Sequence, residues 1–235
     1  MAHGMRTVII FLGLTLLLGA GCRYPNDVEG TLDDVRGGVL DVGLTENEPW
    51  VIRGATPSGV EVDIVQELAR ELGAEVRWHW GSESELIAAV RLLQVDLMIG
   101  GIVQSKRLTG EVALTQSYFE SRYTVGFPGS GPPLQSLDGV RVQVPTINRV
   151  ADQLKREDAI PVRFDENPAP NETMAATDWW LWANGYQTGP WTLARHKHVM
   201  ALPKGENAWL MHVQEHLYKV NDMPRRLAAY LEGEQ

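Results

Sequence analysis

Hydrophobic and polar positions change rhythm several times along the chain, and each change predicts an element. From Gly38 the run Val39-Leu-Asp-Val-Gly-Leu-Thr45 reads as a short strand with few long charged groups. Gly59 then opens Val60-Glu-Val-Asp63, whose alternation predicts a short extended piece with Asp63 as the N-cap of a helix. Ile64, Val65, Leu68, Ala69 and Leu72 fall on one helical face, against Gln66, Glu67, Arg70 and Glu71 on the other. Gly73 supplies a left-handed C-cap, and Val76, Trp78 and Trp80 alternate with Arg77 and His79 as in a strand. The rhythm then repeats. Ser82 caps a helix with Leu86, Ile87, Val90 and Leu93 on its apolar face and Glu83 and Glu85 in its first turn, where the helix dipole favours acids. Val95-Asp-Leu-Met-Ile99 is the next buried strand, closed by Gly100-Gly101.

The second half carries the same alternation. Tyr123–Phe127 is extended, and residues 128–133 form a Pro/Gly loop. Val140–Val144 and Pro161–Phe164 read as strands around a helix bearing Ile147, Val150, Ala151 and Leu154. A helix is expected from Thr173 to about Ala183, stopped by Gly185, and Val199–Leu202 is a final short strand. Ala208–Val220 and Pro224–Leu231 are amphipathic helices. Strands alternating with helices predict an α/β fold of mainly parallel sheets covered on both faces, in two lobes.

The chain ends change the picture. One cationic residue, Arg6, precedes an apolar run from Val8 to Ala20, the layout of a secretory signal and short of the ~20 residues a membrane span needs. The only cysteine, Cys22, follows Leu18-Gly-Ala-Gly21, which resembles a bacterial lipobox with its large aliphatic residue one step early. A single cysteine cannot close an internal disulfide, so Cys22 is read as a lipid-anchored terminus after a signal at 1–22, with residues 23–35 as a polar tether. A net charge of −9 argues against nucleic acid, which wants basic surface. Hydrolase signatures of the G-x-S-x-G or H-E-x-x-H type are absent, and the His196-Lys-His198 spacing has no acidic or cysteine partner nearby to complete a metal site.

Taken in order, VLDVGLTENEPW, SGVEVDIVQELARELG, VDLMIGGI, LTQSYFESRYTVGF, GVRVQV and VMALPKGENAWL resemble the family 3 extracellular solute-binding proteins over about residues 36–220. The resemblance implies a type II periplasmic-binding-protein fold, with residues 36–121 and 205–235 as lobe 1 and 122–204 as lobe 2. It places hinge crossings near Ser121–Phe127 and Val199–Lys204. It further implies a monomer without cofactor that closes on a small solute and passes it to the permease of an ABC importer. In the site it implies an aromatic contact from Trp50, loop contacts from Gly101 and Ile102, and an amine-binding acid at Asp178. The position of the family's carboxylate-binding arginine is Leu108, with Arg107 one residue early, which argues against an ordinary α-amino acid.

The residues add their own candidates. Glu46 shares the loop of Trp50 and is the preferred first-lobe polar contact. Glu61 faces either the cleft or water. Thr146 opens a helix, where free N–H groups bind anions or the hydroxyl simply caps. The expected activity is capture of an amine-bearing or amino-acid-like solute by a membrane-tethered receptor. The alternatives are a periplasmic dehydratase-like enzyme on the same fold, using Glu61, His79 or Asp178 as acid or base, and a ligand-sensing lobe.

Overall fold

The computed structural model describes residues 26–129, 134–146, 150–165, 169 and 171–232. Cys22 and the apolar run before it lie outside them. Within them the chain builds two sheets. The first takes β1 (Val39–Leu44), β2 (Glu75–Trp80), β3 (Leu97–Ile99), β4 (Ala113–Leu114) and β11 (Ala201–Leu202) in the order β2-β1-β3-β11-β4. Its β2, β1 and β3 are parallel, and β11 runs against both β3 and β4. The second contains β5 (Phe119–Phe127), β6 (Arg141–Pro145), β7 (Ile160–Phe164), β8 (Met174–Thr177), β9 (Gln187–Thr188) and β10 (Ala194–His198), in the order β10-β5-β8-β6-β7 with β9 also on β5. It is mixed: β6 is parallel to β7 and β8, while β5 is antiparallel to β8, β9 and β10. The chain passes between the sheets at residues 115–118 and returns at 199–200.

Helices α1 (Thr31–Val35), α2 (Val60–Leu72), α3 (Glu83–Arg91), α4 (Lys106–Glu111), α7 (Asn207–Lys219) and α8 (Met223–Glu232) belong to the first sheet, and α5 (Val150–Arg156) and α6 (Asp178–Ala183) to the second. One face of the first sheet packs Val42, Leu44, Leu97 and Ile99 with Ile64, Leu68, Trp209 and Val213. A separate cluster on α3 and α4, with Leu86, Val90, Met98 and Leu108, is also buried. The second lobe has its own core, including Val125, Val142, Val144 and Leu154. Trp179 of α6 joins the first lobe's core rather than the second's.

Three elements differ from the periodicity. Residues 60–63 are the first turn of α2, not an extended piece, and Gly59, not Asp63, is the N-cap. The cause is tertiary. The free N–H groups of Val60 and Glu61 donate to the carbonyls of Pro49 and Trp50, at 3.1 and 3.0 Å, so no side-chain cap is needed. Gly59 has φ 119°, and a Cβ there would lie 2.5 Å from the Trp50 carbonyl oxygen. Asp63 instead accepts the Tyr230 hydroxyl at 2.6 Å. Second, Met174–Thr177 is strand β8, lodged between β5 and β6, and helix α6 begins only at Asp178. Third, residues 26–35 are no free tether. Val35 is buried, and Glu206 accepts the N–H groups of Val28, Glu29 and Thr31 at 3.0–3.1 Å.

Candidate functional site

The parallel strands β1 and β3 end side by side, and the loops leaving them, from Thr45 and from Gly100, form one edge of the first sheet. In open α/β sheets this carboxyl edge faces the ligand crevice. Here it holds an open recess of about 390 Å³, with Glu46, Glu83, Gly101 and Ser105 at its wall and Met98 and Leu108 among its apolar lining. The described residues that line it include no lysine or arginine. Ser105 closes the loop that the resemblance marks for backbone and hydroxyl contacts, whereas Glu83 reads from sequence only as a first-turn acid. Both belong to capping signals just past strand ends, which is where such residues should be sought.

The Gly100-Gly101 turn is held from below. Glu61 is fully buried, and its Oε2 accepts both glycine N–H groups, at 2.6 and 2.8 Å, while Oε1 accepts the Tyr118 hydroxyl. Burial pushes the Glu61 carboxyl up, and these three donors oppose it only in part. Neither cleft nor solvent is in reach, so the two orientations expected for Glu61 are replaced by a third, beneath the loop. Gly101 has φ 64°, and a Cβ on it would come within 2.6 Å of the Trp50 ring and of Asn47 Nδ2. Only glycine fits there.

Trp50 is therefore floor, not wall. It is 4% exposed, stacks on His198 at 4.2 Å between ring centroids, and meets Trp179 edge-on at 6.4 Å. Its face is occupied, which corrects the expectation of a free indole over the ligand. His198 is itself buried and bonds through Nε2 to Ser121 Oγ at 2.9 Å. Burial, with His196 nearby, lowers its pKa to about 4, so it is neutral at pH 7.

Other candidates fall in several places. Glu46 lines the recess, paired with Arg53 at 2.9 Å, and Arg53 lies over the Trp80 ring at 4.1 Å. Ile102 lines it as well, though its side chain is mostly covered, and its carbonyl accepts the Val199 N–H. Arg107 turns away from the recess to Glu111, at 3.5 Å, while Leu108 is buried in the α3–α4 cluster. Thr146 is exposed, and its hydroxyl donates to the Phe164 carbonyl at 3.1 Å and to Asp165 at 2.6 Å. His79 sits 2.6 Å from Asp41.

Asp178 lies at the junction of the lobes. One carboxylate oxygen accepts the N–H groups of Trp179 and Arg122, and the other is 3.8 Å from the Arg122 guanidinium. Along β5, Arg122 is three residues beyond Phe119, which pairs with His198, and His198 bridges to Val103 at the recess rim.

Two α/β bodies, a carboxyl-edge recess on one and an acid at the junction with the other define a two-lobed ligand-binding protein. The family of bacterial extracellular solute-binding proteins, family 3, matches residues 40–225, and the chain belongs to it. No curated protein sequence matches the chain. Among solved structures, the L-cystine solute receptor of Neisseria gonorrhoeae, unliganded and open, aligns at TM-score 0.68 and 13% identity, over 80% of this chain and 89% of that one. An ancestral cationic amino acid solute-binding protein, AncCDT-1, aligns at 0.66 and 17%, over 86% and 99%. The P235GK mutant of ArgBP from T. maritima aligns at 0.52 and 19%, over 86% and 97%. At these identities the likeness establishes the fold, the type II periplasmic-binding-protein arrangement.

Proposed function

We propose that this chain is an exported, membrane-tethered receptor that captures a small amine-bearing solute without catalysing a reaction on it, and delivers the solute to an ABC importer. The observation that carries the ligand class is the charge of the recess. Its lining offers the Glu46 and Glu83 carboxylates, hydroxyls from Thr45 and Ser105, and no cation of its own among the described residues. The Glu46–Arg53 pair is about half exposed, so it is weak and an incoming ammonium displaces Arg53 at little cost. Leu108 in the core and Arg107 on Glu111 leave the first lobe without a fork for a carboxylate. The preferred ligand is thus an amine lacking an α-carboxylate, with Asp178 as its contact from the second lobe. Family membership supports delivery to a permease.

Isothermal calorimetry against matched amines and α-amino acids tests this reading. Amines such as putrescine and agmatine should bind, and Glu83→Gln and Asp178→Ala should each weaken binding at least ~10-fold, the loss of one charge-assisted contact. Preferential binding of an α-amino acid, or unchanged affinity in Asp178→Ala, overturns it.

A further inference from the structure

The opposite end of the first lobe is built differently. Here β3 begins, α4 ends, and the turn after β11 leads through Pro203 and Lys204 into α7. Asp27 pins the incoming chain, its two oxygens accepting the N–H groups of Leu32 and Trp209, each at 2.9 Å. Together with the three bonds to Glu206, this fixes the chain from Asp27 onward and sets Asn26 on this base.

Two features converge there. Arg91 and Arg107 both approach Glu111, at 3.7 and 3.5 Å, and Lys204 donates to the Gly110 carbonyl at 2.6 Å. That is two cations on one carboxylate and a third on the neighbouring carbonyl, in a chain of net charge −9. Beside them stand exposed aliphatic side chains: Leu92 at 66% and Leu93 at 47% exposure, and Val28 at 73% against Gly205. Leu93, Arg91 and Lys204 line one shallow recess. Basic and aliphatic groups interleaved on one face suit an anionic lipid surface, which takes the aliphatic groups at its interface and the cations at its phosphates.

We infer that the base of the first lobe rests on the anionic lipid surface to which the N-terminal segment is anchored. The inference builds on the membrane-tether reading and adds an orientation to it. Only residues 23–25 separate Cys22, the lipid-bearing terminus in that reading, from Asn26. Fully extended they reach roughly 14 Å, less than the ~30 Å diameter of a small domain. The base therefore stays at the bilayer while the arm is docked, and the carboxyl-edge recess faces outward. Hand-over to a permease then requires the arm to leave Glu206.

The test places the chain processed and acylated at Cys22, its only native cysteine, in phosphatidylcholine–phosphatidylglycerol vesicles carrying brominated lipid. A bimane is attached at Leu92→Cys or, as control, at Asp152→Cys, whose side chain is 79% exposed in the second lobe. Quenching at position 92 should be roughly threefold that at 152, because bromine reaches only groups within the interfacial 5–10 Å. It should fall when Arg91, Arg107 and Lys204 are together replaced by Gln, or when Glu206→Ala frees the arm. Equal quenching at both positions in a vesicle-bound chain overturns the orientation alone. A chain that does not associate with vesicles at all overturns the tether reading and the orientation with it.

Discussion

Glu61 and Glu206 occupy opposite ends of the first lobe and do the same mechanical work, yet they titrate in opposite directions. Each is buried, at 0% and 1% exposure, and each gathers donors onto a carboxylate, three on Glu61 and four on Glu206. For Glu61 burial is the largest influence and wins, raising the carboxyl above its ordinary value against Tyr118, Gly101 and Gly100. For Glu206 burial also acts upward, but the N–H groups of Glu29, Thr31 and Val28 and the Thr31 hydroxyl together outweigh it and lower the carboxyl. Glu61, in the first turn of α2, sits under the Gly-Gly turn, where no water compensates for lost solvation. Glu206 is covered only by the thin N-terminal arm. The difference teaches that the charge state of a buried acid is set by the balance of its donors against the depth of its cover.

Removing each carboxylate breaks the comparison most directly. Glu61→Ala strands two backbone N–H groups and a tyrosine hydroxyl where water cannot reach, and should cost about 4 kcal/mol in chemical denaturation. Hydrogen exchange should show Gly100 and Gly101 losing protection together. Glu206→Ala should cost less, about 2 kcal/mol, because the freed N–H groups of the arm turn to solvent. Protection should be lost at Val28, Glu29 and Thr31 and kept at Gly100. If the two substitutions cost the same, depth of cover is not what separates the sites.

A smaller effect sharpens the contrast through pH. The lowered carboxyl of Glu206 contributes stability that is complete above about pH 4.5 and is lost as pH falls through its folded value. Glu206→Gln should therefore approach wild-type stability under acid. The raised carboxyl of Glu61 works the other way. The fold favours its protonated form, so wild type gains on Glu61→Gln as pH falls from neutrality toward 4.5. Denaturation curves of the three proteins from pH 7 to 3.5 check both signs, and two parallel curves would remove the distinction.

Much of the fold was legible in the order of residues alone. The helical faces of α2 and α3, the Ser82–Glu85 capping box, the Gly73 turn and the strands β1, β2 and β6 repeat over enough residues for periodicity to decide them. The site was legible only in outline. Glu46 and Gly101 line the recess, but Trp50, Glu61 and Arg107 kept their neighbourhood and lost their orientation. An alternation of four residues at 60–63 suits a strand or the first turn of a helix equally well, and nothing local separates them.

By itself, then, the sequence determined the longer helices and strands and the two-lobed α/β class, because hydrophobic period is a local property that survives any packing. Tertiary structure alone decided which groups touch solvent. Carbonyls of Pro49 and Trp50 start α2 at Val60. The donors on Glu61 come from residues 39 to 57 positions away, and those on Glu206 from more than 170. Whether an acid is ligand contact, cradle or latch depends on partners that only chain folding brings into hydrogen-bond range.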